Sequence, residues 1–470
     1  MKTQTITIVG GGITGLTAAY YLKKDIAQFE LPYEVKVLEA SNRTGGKIHT
    51  LHQDGFVIER GGDSFLERKT PAVDLVNELG LGEETVRNST GQAYILVEET
   101  LHPIPAGSHM GIPLSEEVLR DSDLLSASEK ERVIKETTLP KGEPKEDQSL
   151  GKFLRGRFGD ELIENIIEPL LSGIYSSDMD EMSLMASFPN FYKLEQEYGS
   201  LTQGLRETLP ATQKSTGKRK GQFLSFENGL DTLLQGLTEA IGEENIMKNT
   251  AIEGIRSKED GYELTLANGR VHQTDAVLLT IPHSNIPALM PQETIWEDLK
   301  TIPMSSVANI VLAFDEADIG GDLEGTGFVV SRNSPFRITA CTWTSRKWPA
   351  TTPEGKVLLR AYVGKPTDQD IVQLSDEDIQ DIVLRELSQI MTINKAPAFS
   401  IVTRWTQQMP QYNVGHPATI QKLENDLKHR LPGMYIAGAS YHGVGIPDCI
   451  EQGKKAAASI VSDLQQDSSV

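Results

Sequence analysis

The sequence predicts an α/β chain, α+β overall: a Rossmann-like parallel-sheet domain, a second mixed-sheet domain and an inserted helical lobe. Three observations carry this. A β-branched run at 5–9 (TITIV) passes through a glycine cluster into helix-forming residues from 14 to 22. A largely helical stretch, 85–220, interrupts that pattern. Strand-like runs at 307–314, 356–363 and 399–405 then make up a sheet of their own.

Taken in order, the glycine cluster comes first. Gly10, Gly11, Gly12, Ile13, Thr14 and Gly15 satisfy GxGxxG between a strand and a helix. Such a turn needs one glycine for the bend, one for close approach of a pyrophosphate and one for helix–strand packing. The phosphates then meet amide N–H groups at the positive end of the helix. A second alternating strand, 34–38 (EVKVL), ends at Glu39. A carboxylate there accepts hydrogen bonds from ribose hydroxyls and repels a 2′-phosphate. Ala40 follows, and the run continues through Arg43, Gly45 and Gly46 to Lys47. Consecutive glycines beside two cations close over the pyrophosphate of a longer cofactor, which points to FAD rather than NAD. Gly61, Gly62, Asp63 and Ser64 form the next glycine-containing loop.

Within the lobe, Ile163, Ile166, Ile167, Leu170 and Leu171 lie on one helical face over 160–171. Residues 214–220 (KSTGKRK) read as a basic, solvated loop. From 226 the first domain resumes. Leu230, Leu233, Leu234, Leu237 and Ile241 share a helical face, and Tyr262, Leu264 and Leu266 alternate toward a type I′ turn at Asn268-Gly269. A buried strand follows at 275–281. Ser375 with its acidic followers opens a capped helix. The chain returns through a short strand at 434–438, glycines 438, 443 and 445, and a last helix from 448. Glycines let the backbone approach a ring, and the helix start directs its positive end at a flavin N1–C2=O edge. The domains are therefore read as 1–84 with 221–300 and 405–470 for FAD, 85–220 as the helical lobe, and 301–404 as the substrate sheet.

The 470 residues carry 45 Lys+Arg against 66 Asp+Glu, a net charge of −21. That balance disfavours nucleic acid and anionic lipid as general partners. Cys341 and Cys449 are the only cysteines, without CxxC or histidine ligand spacing, so neither a disulfide framework nor a metal site is expected. Neither cysteine sits in a flavin-attachment motif, and FAD is expected to be non-covalent. No secretory signal and no stretch of ~20 apolar residues occurs, which predicts a cytoplasmic protein.

Segments along nearly the whole chain, among them ERGGDSFLERK, IIEPLLSGIY, ACTWTSRKWP, LLRAYVGK and GASYHGVGIPDCIEQGKKAA, resemble a known family. They look like the Gram-positive-type coproporphyrinogen III oxidases of the protoporphyrinogen oxidase and flavin amine oxidase superfamily. One departure is Gly62, where the family pattern has proline. The resemblance implies a haem-biosynthetic oxidase that removes hydride from a tetrapyrrole bridge to flavin. It also implies dioxygen as oxidant, peroxide as product and transient contact with neighbouring pathway enzymes. Acceptance of protoporphyrinogen IX stays open beside coproporphyrinogen III.

By the same resemblance FAD meets Gly10 to Gly15, Glu39, Ala40, Lys47, Gly61 to Ser64, Ile252, Trp405, Val444, Gly445 and Ile446. The tetrapyrrole meets Asp63, Lys69, Ile174 and Tyr362. Lys69 also reads as a solvated loop cation, and Ile174 and Tyr362 as core residues. No protein acid–base group is required, because the flavin carries the chemistry. A monoamine or polyamine oxidase, and a non-catalytic carrier such as the Rab GDP-dissociation inhibitors, are the competing readings on this scaffold.

Overall fold

The computed structural model describes residues 4–120, 122–210, 221–321 and 324–467, without the side chains of 172–174 and 467. The basic run 214–220 lies outside the described residues.

Five parallel strands form the first sheet, in the order Ile246–Met247, Tyr33–Leu38, Gln4–Val9, Ala276–Leu279, Met434–Ile436. The sheet is apolar on both faces, as a parallel sheet covered on both sides must be. Ile6, Ile8, Val35 and Leu278 pack on helices Ile13–Gln28, Asp231–Ile241 and Ile446–Asp467. Val9, Leu38, Val277 and Leu279 pack on an antiparallel sheet, Ile252–Lys258, Gly261–Leu266 and Val271–Thr274, and on helix His416–Arg430. The two ends of the chain meet directly. A Cβ at Gly453 of the last helix would lie 2.5 Å from the Thr14 carbonyl oxygen in the first.

The second sheet has seven strands, in the order Phe399–Pro410, Met304–Asp315, Lys356–Val363, Ile338–Trp343, Gly327–Val330, Tyr94–Val97, Thr100–Pro103. One face buries Ile310, Leu312, Leu359 and Ala361 against Ile379, Val383 and Leu387 of helix Asp376–Ile390. Ser375 caps that helix as expected, accepting from the Asp378 N–H. The cross-strand pairs Asn309–Tyr362, Val311–Arg360 and Asn309–Thr403 set the opposite, more polar face.

Several boundaries differ from the sequence reading. Tyr94–Val97 and Thr100–Pro103, read within the helical lobe, are a hairpin on the second sheet. Their apolar run buries Ile95 in the lobe core and Leu96 in the sheet core, and so short a run carries no helical or strand period. The 404/405 boundary falls inside the continuous strand Phe399–Pro410. The helix read over 160–171 contains a π turn at Ile163–Ile167. The hairpin at 261–274 forms, but its turn is not type I′. Only Gly269 has positive φ, 79°, while Asn268 Oδ1 accepts from the Arg270 N–H, the geometry of a three-residue loop with glycine last.

Candidate active site

The GxGxxG turn joins Gln4–Val9 to Ile13–Gln28. A Cβ at Gly15 would lie 2.0 Å from the Gly10 carbonyl oxygen, so only glycine allows the helix this close to the strand end. At Gly12 a Cβ would meet nothing within 4 Å. That opening lies at the helix start, which has no side-chain cap and no acidic residue in its first turn. Its N–H groups are left for an anion.

Neighbouring segments enclose the opening. Gly45 N–H donates to the Gly11 carbonyl at 2.7 Å and lays the second glycine pair against the first. Glu39 ends its strand with Oε2 accepting from Gly11 N–H at 2.8 Å and Oε1 accepting from Ser41 N–H and Oγ at 2.8 and 2.7 Å. Ala40 beside it is exposed. Thr250 N–H donates to the Glu39 carbonyl at 2.8 Å and brings Ile252 alongside, half-buried at the start of its strand. Lys47 donates from Nζ to the Gln408 carbonyl. Burial lowers its pKa, and no carboxylate pairs with it among the described residues. A buried ammonium lacking a carboxylate suits a site that receives an anionic group.

At the far end, Gly438 and Gly443 adopt φ of 125° and 130° before helix Ile446–Asp467. Tyr412 Oη holds this loop by donating to the Ala439 carbonyl and accepting from Gly443 N–H, at 2.6 and 2.9 Å. A Cβ at Gly62 would lie 3.5 Å from Ile446 Cδ1, so Gly61 to Ser64 run beside Val444, Gly445 and Ile446. Sequence-distant segments thus surround one region with four glycine clusters and an uncapped helix start.

The family description "flavin containing amine oxidoreductase" matches residues 13–461. The chain belongs to that family. It is a flavin-dependent oxidoreductase, and the residues just described fit FAD as its cofactor. A protein of Bacillus subtilis (strain 168) named coproporphyrinogen III oxidase is 48% identical over 461 residues, 98% of each chain. Its namesake in Staphylococcus aureus (strain NCTC 8325 / PS 47) is 42% identical, covering 98% of this chain and 100% of the other. A crystal structure from Exiguobacterium sp. 255-15 superposes with a TM-score of 0.88 at 40% identity, over 98% of this chain and all (100%) of that one.

The residues expected at the tetrapyrrole are not all alike. Tyr362 lies half-buried on the polar face of the second sheet, its ring centroid 5.3 Å from the Arg360 guanidinium carbon. Desolvation pushes its phenol up to about 12. Asp63 is buried and fully engaged within the protein. It accepts from Lys347 Nζ at 2.9 Å, Trp348 Nε1 at 3.2 Å and Ser64 Oγ at 2.7 Å, and pairs with Arg360 Nη2 at 3.0 Å. Burial alone would raise its pKa, but Lys347 and Arg360 outweigh that and hold the carboxyl well below the usual range. Lys69 pairs with Asp448 in the first turn of the last helix. Ile174 lies in helix Glu168–Tyr175, with its side chain outside the described residues.

Sequence reasoning did not single out Arg360, Lys347, Trp348, Asn309 or Asp448. One signal was available for Arg360, a guanidinium centred in the apolar strand LLRAYV, because arginine is almost never fully buried without a partner. The histidines showed no cluster, and among the described residues no group of His, Cys, Asp and Glu could hold a metal.

Proposed function

We propose that this chain oxidises coproporphyrinogen III to coproporphyrin III in haem synthesis, with dioxygen as terminal oxidant and hydrogen peroxide as by-product. Similarity over 98% of both chains to the Bacillus subtilis coproporphyrinogen III oxidase carries this reading. Bound FAD supplies the two-electron acceptor for hydride leaving a methylene bridge.

The residues supply binding and orientation. Gly12, Lys47 and the uncapped helix start hold the pyrophosphate, and Glu39 holds the adenosine ribose. The Gly61–Ser64 loop and Val444–Ile446 flank the ring. The polar face carrying Tyr362 forms one wall of the slot, while the three bridge oxidations need no protein acid–base pair. Lys69 is the propionate-facing cation on this reading, shared with Asp448.

Among the described residues no helix is long and apolar enough to cross a membrane. A cytoplasmic location forms part of the proposal, supported by two free, buried cysteines. Transient hand-over of product to neighbouring pathway enzymes is a further part.

An aerobic assay of coproporphyrinogen III, protoporphyrinogen IX and a set of amines tests the reading. Porphyrin fluorescence should rise with peroxide for the first, with the second slower. Peroxide from an amine, without porphyrinogen turnover, would assign the site to amine oxidation.

A further inference from the structure

The flavin-lining segment 59–64 crosses the polar face of the second sheet, and three adjacent strands hold its backbone. Lys356–Val363 contributes Arg360, whose Nη1 donates to the Glu59 carbonyl at 3.0 Å and the Gly61 carbonyl at 3.2 Å. Met304–Asp315 contributes Asn309, whose Nδ2 donates to the Arg60 carbonyl at 2.7 Å. Phe399–Pro410 contributes Trp405, whose Nε1 donates to that same carbonyl at 3.1 Å. The segment also grips back, since Arg60 Nε donates to Thr403 Oγ1 at 3.0 Å.

Every carbonyl from Glu59 to Gly61 is therefore met by a side chain of the other sheet. Arg360 and Asn309 are buried, so these donors work in low dielectric, where a fixed hydrogen bond orients strongly and an unmet carbonyl is costly. A second layer fixes the donors. Arg360 Nη2 pairs with Asp63, which Lys347 and Trp348 also hold. Arg360 further stacks near Tyr362, two residues along the same strand face.

We propose that Arg360 and Asn309 are positioning residues that set the height and tilt of the flavin-lining loop against the sheet forming the substrate wall. The two sheets are thereby locked at the point where flavin and substrate must meet. Through Arg360 the same lock reaches Tyr362, so substrate contact and loop position are mechanically joined. Neither residue touches the reacting atoms on this assignment. It rests on the flavin site and on Tyr362 as a slot residue, but not on which porphyrinogen is used.

Asn309→Leu keeps the branched shape but is bulkier, removing the Nδ2 donor to Arg60 together with an Oδ1 that has no partner among the described residues, while Trp405 still donates to that carbonyl. Arg360→Lys keeps a cation beside Asp63 but cannot span two carbonyls, and Arg360→Met removes both functions. Each variant would be loaded with FAD and examined by FAD titration, spectroelectrochemical midpoint potential and steady-state kinetics. In Asn309→Leu, FAD Kd should rise about tenfold. A shifted midpoint potential should accompany this, with kcat lowered about tenfold and KM changed less than about threefold. Arg360→Met should be worse, with Arg360→Lys recovering part of the loss. Folded Asn309→Leu and Arg360→Lys proteins with unaltered FAD Kd, potential and kcat would overturn the proposal. Should no porphyrinogen be turned over by any variant or by wild type, FAD titration and potential still decide it.

Discussion

Lys69 Nζ lies 2.7 and 2.6 Å from the two carboxylate oxygens of Asp448, joining the segment after the Gly61–Ser64 loop to the first turn of the C-terminal helix. The pair is partly exposed, with side-chain exposures of 42% and 28%, so solvent weakens it. A substrate carboxylate at Lys69 must share the ammonium with Asp448. Asp448→Asn should therefore lower KM for coproporphyrinogen roughly two- to fivefold. Lys69→Glu places two carboxylates together and should cost roughly 5- to 150-fold in kcat/KM with FAD content normal. Lys69→Met should fall between wild type and Lys69→Glu. Indistinguishable steady-state kinetics for wild type and the Met and Glu variants would make Lys69 a structural partner of Asp448 only.

Gly12→Glu should yield folded, colourless protein. Space above Gly12 is open in the protein itself, so loss of colour would come from a carboxylate entering the pyrophosphate path. Absorbance after gel filtration reads the bound FAD. A variant that folds and stays fully yellow would move the phosphate site elsewhere.

Both ends of the candidate cofactor site were legible because each is a local motif. GxGxxG with Glu39, and the glycines before Ile446, specify backbone shape within a few residues. The parallel sheet followed from β-branched runs buried on both faces. The Asp63–Arg360–Lys347 cluster was not legible, since its members come from separate strands and turns and share no spacing. The Tyr94–Val97 hairpin escaped for a related reason: its partner, Gly327–Val330, lies far along the chain. Asp448 was visible only as a residue of a helix start, and its pairing with Lys69 depends on how the two ends of the fold meet.

Trp405→Ala should weaken FAD more than it alters substrate choice. The indole donates to the Arg60 carbonyl, and its Cζ2 lies 3.7 Å from a Cβ placed at Gly61. Losing both ring and donor should raise FAD Kd about ten- to a hundredfold. The ratio of kcat/KM for the two porphyrinogens should change less than about threefold. Unchanged FAD affinity with a reversed preference would place Trp405 in the substrate slot.

His416 should make the C-terminal glycine loop acid-sensitive. Its ring stacks on Tyr412 at 4.1 Å, and Nε2 lies 2.9 Å from the Tyr441 carbonyl, so Nε2 carries the proton. Nδ1 is buried without a partner among the described residues. Burial depresses the folded pKa to about 4 from 6.5. The unfolded chain therefore binds the extra proton first. Stability is complete above pH 6.5 and falls as pH drops toward 4, by roughly 2 kcal/mol at pH 5. His416→Phe should flatten part of that slope in urea melts at pH 7.5 and 5. His49, His272 and His283, also depressed by burial, should keep part of the rest, and Glu59, pushed up to about 7 by burial, opposes it. An unchanged slope in the variant would remove His416 from the account.

Anaerobic titration of the yellow protein with coproporphyrinogen III follows electron transfer to the flavin with dioxygen excluded. The flavin band should bleach as coproporphyrin fluorescence appears, with three flavins reduced per porphyrin formed, because aromatisation releases six electrons. Admitting air should restore the band and yield one peroxide per flavin. A flavin band that coproporphyrinogen leaves untouched, while an amine bleaches it, would assign the flavin to amine oxidation instead.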